Sequence, residues 1–185
     1  MNDGPSSKCI VWYFKYDNSL WSVPGQGTDD DNDTSHDEFW TSMVSFNNSP
    51  GFLAISHEKT IVRSEAGLPF VFRDWSDHRY DLRKVLLTKD DKVGVILGFK
   101  DKALRVYLIS TENISRKTEL KYPSNIEPKF RNRGFGAGLY DENYQGTRKL
   151  ILTIGFPASQ STQSIIRLDI TVAVQSFLVN RFDLD

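Results

Sequence analysis

The sequence predicts an α+β fold, mainly β: an antiparallel sheet or sandwich with one or two short helices. Three observations carry the prediction. Short apolar runs rich in aromatic and β-branched residues recur along the chain, and clusters of Asp, Asn, Gly and Pro separate them. Near the C terminus one run alternates apolar and polar residues with a period of two. At 185 residues the chain reads as a single domain, 1–185, with a flexible acidic loop at about 24–37.

In chain order, "CIVWYF" (9–14) and "LWSV" (20–23) flank Asp-Asn-Ser turn chemistry and read as a hairpin. The stretch "PGQGTDDDNDTSHDE" has nothing apolar to bury and reads as a mobile loop. Ser35 and Glu38 make a capping-box pattern, and Phe39, Trp40, Met43, Val44 and Asn47 follow at helical spacing, which predicts a helix over about 36–47. After "NNSPG", three short strands are expected: "FLAIS" (52–56), "TIVR" (60–63) and "PFVF" (69–72). Residues 80–111 read as a three-strand meander with turns at "KDDK" and "KDKA", although a helix over Ser76 to Leu87 fits the propensities of "DLRKVLLT". A long exposed connection follows to Arg133, interrupted by Pro123 and Pro128. Arg148 to Phe156 reads as a strand, with Gly134, Gly136 and Gly138 before it as a bulged or left-handed turn. The final strand places Ile166, Leu168, Ile170, Val172 and Val174 on one face.

Composition bears on function as well. Cys9 is the only cysteine, so neither an intrachain disulfide nor a thiolate metal cluster can form. The first residues lack a signal-peptide pattern, and no apolar run reaches the length of a membrane span. The D-x-D-x-D at Asp29, Asp31 and Asp33 departs from a calcium loop: Thr34 replaces the turn glycine and Trp40 the bidentate glutamate. His36, His57 and His78 have no sequence context that pairs them with a nucleophile, and no G-x-S-x-G elbow occurs. The expectation is a non-enzymatic protein with no cofactor and no metal. Net charge is −1, but residues 1–50 carry 2 bases against 8 acids and the remainder carry 21 against 16. Such a split suits head-to-tail association or a basic face for an anionic surface.

The most cationic and glycine-rich stretch is "KFRNRGFGAGLYDENYQGTRKLILTIGF", residues 129–156. Arg133-Gly134-Phe135-Gly136 matches the first half of an RNA-recognition signature, while Ala137 and Gly138 depart from the second half. The glycines also miss G-x-G-x-x-G dinucleotide spacing. Over residues 129–154 the stretch resembles the central passage of rhabdovirus matrix proteins at Phe130, Arg131, Phe135, Gly138, Leu139, Tyr140, Gly146, Leu150, Leu152, Thr153 and Ile154. The lysine-rich arm and Pro-Pro-x-Tyr motif of animal-virus members have no counterpart here, so the plant-infecting type is the one implied.

What the resemblance implies is a self-associating viral matrix protein. It would link the viral nucleocapsid to an anionic membrane surface as a peripheral protein of the virion and host cytoplasm. On that reading Lys100, Lys102, Arg105, Arg116, Lys117, Lys121, Lys129, Arg131, Arg133, Arg148 and Lys149 contact membrane or nucleocapsid. Asp29, Asp30, Asp31, Asp33, Asp37 and Glu38 would dock on the basic face of a neighbouring copy, giving a homo-oligomer. Two alternatives stand beside it. One is a β-sandwich recognition module for a sugar or peptide, with Trp12, Tyr13 and Trp21 as stacking platforms. The other is an RNA-binding domain in direct contact with nucleic acid through Phe135.

Overall fold

The computed structural model describes residues 11–14, 20–23, 40–49, 51–56, 61–65, 71–73, 80–101, 103–121, 135–156 and 165–179. Among them are thirteen strands, all paired antiparallel, and one short helix, which is the mainly β, α+β class that the sequence predicts. The chain divides into two compact units, Met1–Phe39 and Trp40–Asp185. In the first, β1 (Val11–Phe14) pairs with β2 (Leu20–Val23) as the expected hairpin, Val11 opposite Val23 and Phe14 opposite Leu20.

The second unit holds three sheets. β3 (Trp40–Ser45), β4 (Gly51–Ser56), β5 (Ile61–Glu65) and β6 (Val71–Arg73) form a meander in chain order. β7 (Tyr80–Leu87), β8 (Val93–Lys100), β9 (Ala103–Ser110) and β10 (Lys117–Glu119) form a second one. β11 (Gly136–Tyr144), β12 (Thr147–Gly155) and β13 (Ile165–Asp169) form a three-stranded sheet that leads into α1 (Thr171–Val179).

The second meander is the middle layer. Val93, Val95, Leu97 and Phe99 of β8, with Leu104, Val106 and Leu108 of β9, pack against Leu152 and Ile154 of β12 and against Ile170, Val174 and Phe177. From the opposite face Ile96, Tyr107 and Ile109 meet Leu53 and Ile55 of β4, with Leu82 and Val85 of β7. Coverage on both faces is why "VGVILGF" is apolar throughout instead of alternating: a strand between two layers has no solvent side. Phe135 joins the first of these cores, its ring 5.9 Å from Phe99 and 6.0 Å from Phe156. The aromatic of the half RNA signature is thus a packing residue.

Two bulges explain where helical spacing misleads. In β7, Leu82 pairs with Gly98 and Lys84 with Leu97, so Arg83 is an extra residue, and Leu82 and Val85 point to one buried face although three positions apart. Residues 80–87 are therefore strand, as the meander reading has it, and not helix. In β3, Trp40 pairs with Ser56 and Ser42 with Ile55, which makes Thr41 the extra residue. Within the described part of the helix expected over about 36–47, Trp40–Ser45 is accordingly a strand, with Met43 60 % exposed. Ridged side by side, the bulges satisfy each other's gaps. Thr41 Oγ1 donates to the Leu82 carbonyl at 2.9 Å, and the Val85 N–H donates to Ser42 Oγ at 3.1 Å.

The C-terminal run also needs correction. Ile166, Leu168 and Ile170 alternate inward as expected, and the Ile170 N–H makes a last ladder bond to the Leu150 carbonyl at 3.0 Å. Then Asp169 Oδ1 accepts from the N–H and the hydroxyl of Thr171, at 3.1 and 2.6 Å, and the Val174 N–H bonds the Ile170 carbonyl at 2.9 Å. A helix starts there because that carboxylate takes the first free amide. Val172 is exposed, and Ile170, Val174 and Phe177 become the buried stripe. The connection after Thr111 contains the short strand β10, while the acidic loop, Cys9 and residues 122–134 lie outside the described residues.

Gly136 and Gly138 sit in regular strand without positive φ, not in a left-handed turn. A Cβ at Gly136, Gly138 or Gly155 would meet nothing within 4 Å. Threonine at position 138 would remove unfolded-state freedom and suit a pleated surface, so Gly138→Thr is expected to stabilise by about 0.5–1 kcal/mol. A thermal midpoint above wild type checks this; a lower midpoint would mean that something presses on that face.

Candidate functional site: a polar cleft at the turn end

The β3–β4 and β7–β8 turns lie side by side at one end of the second unit. The sequence places a breaker at "NNSPG" and a turn at "KDDK". Asp91, at φ 61°, holds them together. Its Oδ1 accepts from the backbone N–H and the Nδ2 of Asn47, both at 2.8 Å, and its Oδ2 accepts from the N–H and Nδ2 of Asn48 at 2.6 and 2.9 Å. Asn48 Nδ2 also donates to the Lys89 carbonyl at 2.9 Å. Within the β7–β8 turn, Thr88 Oγ1 donates to Asp90 Oδ1 at 2.7 Å and accepts from the Val93 N–H at 3.0 Å. The β9–β10 turn is tied in through Thr111, whose hydroxyl donates to the Asp91 carbonyl at 2.5 Å and whose N–H donates to the Lys92 carbonyl at 3.1 Å. Left-handed φ is tolerated by Asp and Asn more readily than by most residues, which is why such a turn carries an Asp there.

A hairpin from the third sheet closes the site. β11 and β12 are joined by Gln145 and Gly146, both with positive φ (50° and 77°), as a tight two-residue hairpin demands. Register places Leu139 opposite Leu152, Asp141 opposite Leu150, and Asn143 opposite Arg148. The side of the hairpin that packs on the core at Leu139, Leu150 and Leu152 therefore continues past it and turns polar. Between that overhang and the two clamped turns opens a cleft of about 650 Å³ lined by Asn48, Lys89, Asp90, Asp141, Asn143 and Arg148.

Arg148 donates through Nε to Asp141 Oδ1 at 3.2 Å and through Nη2 to Oδ2 at 2.8 Å, a fork-to-carboxylate pair. That hydrogen bond, aided by the charges of Arg148 and Lys89, holds the Asp141 carboxyl below its ordinary range against the opposing effect of burial. The same bond, with the charge of Asp141 and of nearby Asp90, raises Arg148. Among the described residues the lining charges cancel, two cations against two carboxylates. Chemically the cleft offers oriented hydrogen-bond donors and acceptors, and its described lining residues include no serine, cysteine or histidine.

Of the described basic residues proposed to meet membrane or nucleocapsid, only Arg148 lines the cleft. Lys149 projects from the other face of β12, 3.6 Å from Asp169. Arg105 pairs with Glu119 at 3.0 Å on the β9–β10 edge, where Lys117 and Lys121 are also exposed. Arg116 lies over the Phe177 ring, 4.5 Å from its centroid, and donates to the Phe177 carbonyl, so it caps the last turn of α1. Lys100 ends β8 at the end opposite the clamped turns. The structure brings Arg105, Lys117 and Lys121 to one sheet edge and places Arg116, Arg148 and Lys149 elsewhere. Lys102, Lys129, Arg131 and Arg133 lie outside the described residues, as do Asp29, Asp30, Asp31, Asp33, Asp37 and Glu38. Trp12, Tyr13 and Trp21 fall on described strands, but their side chains are outside the description.

Asn48, Lys89, Asp90, Asp141 and Asn143 were missed by sequence reasoning. One signal was available: a two-residue turn at Gln145-Gly146 sets Asn143 opposite Arg148 by simple counting. Among the described residues no group of three or more His, Cys, Asp or Glu could hold a metal ion, and no helix is long and apolar enough to cross a membrane.

Three carboxylates here and nearby stabilise the fold in their charged form. At Asp91 burial alone would raise the pKa, but the four hydrogen bonds from Asn47 and Asn48 outweigh it and lower the value. At Asp169 the Thr171 hydroxyl and N–H lower it, with Lys149 adding to the effect. Depressed folded-state values mean that the stabilisation is complete above the unfolded pKa of about 4 and is lost as pH falls through the folded values. Urea unfolding between about pH 6 and pH 2 should show a plateau and then a fall below about pH 4, shallower in Asp91→Asn; stability that is flat through that window would contradict the assignment. Comparison of the chain with known protein families, with curated proteins and with solved structures finds no match.

Proposed function

We propose that the chain is a non-enzymatic recognition module of stacked antiparallel sheets that receives a polar ligand in the cleft at its turn end. One observation carries the reading: three separate sheets supply the described lining, two through turns that the four hydrogen bonds of Asp91 lock together and the third through the β11 and β12 strands. Holding loops in one geometry before a ligand arrives lowers the ordering cost of binding. A rigid, polar, charge-balanced lining suits selective hydrogen bonding more than general attraction to polyanions. The test is an amide chemical-shift screen of the 15N-labelled protein against cocktails of small polar fragments. Binding fragments should perturb residues 47–49, 88–92 and 141–148; perturbations confined to other surfaces would contradict the reading.

A matrix-like assembly is the second reading, favoured by the exposed Lys117 and Lys121 beside Arg105 on one sheet edge. Lysines on an edge strand also discourage unwanted strand pairing, so the same residues serve a monomer. Light scattering against protein and salt concentration separates the two. Charge-driven assembly would grow at low salt and disappear at physiological salt. A monodisperse monomer at both salts would end the matrix reading.

A further inference from the structure

Resting on the recognition reading, we infer that the cleft is a site for a neutral polyhydroxylated ligand, a short saccharide. The balanced charge of the described lining disfavours the ionic alternatives first. A phosphate or sulfate beside Lys89 and Arg148 would also face the carboxylates of Asp90 and Asp141, and a cationic ligand would face the reverse. Peptides are disfavoured for a different reason. Strand-like peptide recognition needs pockets for alternate side chains, and the lining residues are all polar or charged.

Hydroxyl groups match what is left. Each one both donates and accepts, so it uses a wall where acceptors and donors stand next to each other. Asp141 keeps acceptor capacity beyond its two bonds from Arg148, because each carboxylate oxygen can accept twice. Arg148 is 70 % exposed and has five N–H donors, of which the pair with Asp141 occupies two. Asn143 stands across the strand pair from Arg148. Asn48 spends its N–H and Nδ2 on Asp91 and the Lys89 carbonyl, which fixes its amide plane and leaves Oδ1 as an acceptor. The planar groups Asp141, Arg148 and Asn48 are thus held by other protein atoms before any sugar arrives. The cleft, of about 650 Å³, is wide open to solvent, so a sugar in it would keep part of its surface hydrated.

The experiment titrates the 15N-labelled full chain with maltose, cellobiose, xylobiose and N,N′-diacetylchitobiose, and separately with inorganic phosphate and trialanine. Each probe is taken to about 20 mM, enough to reveal a millimolar Kd. The expected result is saturable shifts at residues 48, 89–90, 141–143 and 148 with at least one disaccharide, its affinity falling about tenfold or more in Asp141→Asn and in Arg148→Gln. Both substitutions break an exposed ion pair, whose loss lowers the thermal midpoint only slightly, so loss of binding in a protein that the melt shows to be folded would not reflect unfolding. If trialanine or phosphate shifts the cleft and no disaccharide does, the saccharide assignment is overturned while the recognition module stands. If no probe shifts it, both fall. Disaccharide binding that survives both substitutions overturns the assignment to this cleft.

Discussion

Gly98→Ala is expected to destabilise the protein by about 3 kcal/mol, the upper end for an overpacked site. A Cβ on Gly98 would sit 2.7 Å from the Asp81 carbonyl oxygen and 2.9 Å from the Leu82 Cα. Both are backbone atoms of β7, directly before the bulge that lets the strand present Leu82 and Val85 to the core. A side-chain neighbour could rotate away, whereas this one can move only by breaking the register of the β7–β8 ladder. With about 2–4 °C of thermal midpoint per kcal/mol for a chain of this size, the loss should be visible in a simple melt. Gly136→Ala, where a Cβ meets nothing, is the control and should not destabilise. A Gly98→Ala protein within about 1 kcal/mol of wild type would mean that the bulge is misplaced.

Leu53→Ala should cost about 2–5 kcal/mol, since Leu53 is fully buried between the β4 layer and the middle sheet. The position allows a sharper test than the single loss. A Cβ at Gly94 would lie 2.8 Å from Leu53 Cδ2 and 2.9 Å from Ile109 Cγ1, so Gly94→Ala alone is overpacked. In Leu53→Ala the leucine methyls are gone, and the added alanine methyl enters space they vacated. The double variant should therefore be less destabilised than the sum of the two singles, with a coupling of about 0.5–3 kcal/mol as for residues in contact. Strict additivity in urea titrations would place Leu53 and Gly94 apart and break the stacking of the first two sheets.

How far the sequence discloses this arrangement depends on the local period. "VGVILGF", "FLAIS" and "RKLILTIGF" read correctly because a short apolar run between turn formers leaves little but a buried strand. β3 did not, because the extra residue Thr41 shifts the alternation by one, and a bulge combined with the capping-box residues imitates helical spacing. The end of β13 failed in the opposite sense: Val172 and Val174 continue a period of two in the sequence, yet Asp169 and Thr171 start a helix beneath them. At the cleft the "NNSPG" breaker and the "KDDK" turn were legible. Their meeting was not, since it depends on Asp91 bonding to Asn47 and Asn48 more than forty positions away. Pooling Arg148 with Lys149 as one cationic feature overlooked the alternation that puts them on opposite faces of β12, each with its own carboxylate.

The central claim is that separate turns form one rigid platform before any ligand binds, and native-state hydrogen exchange reads it directly. Exposed turn amides ordinarily exchange almost as in an unfolded chain. The backbone amides of Asn47 and Asn48, both bonded to the Asp91 carboxylate, should instead be protected, and Asp91→Ala should release the two together while the amides of Ile96 and Leu108 keep their place among the slowest. Free exchange at Asn47 and Asn48 in the wild-type protein, or release of one without the other, would contradict the account.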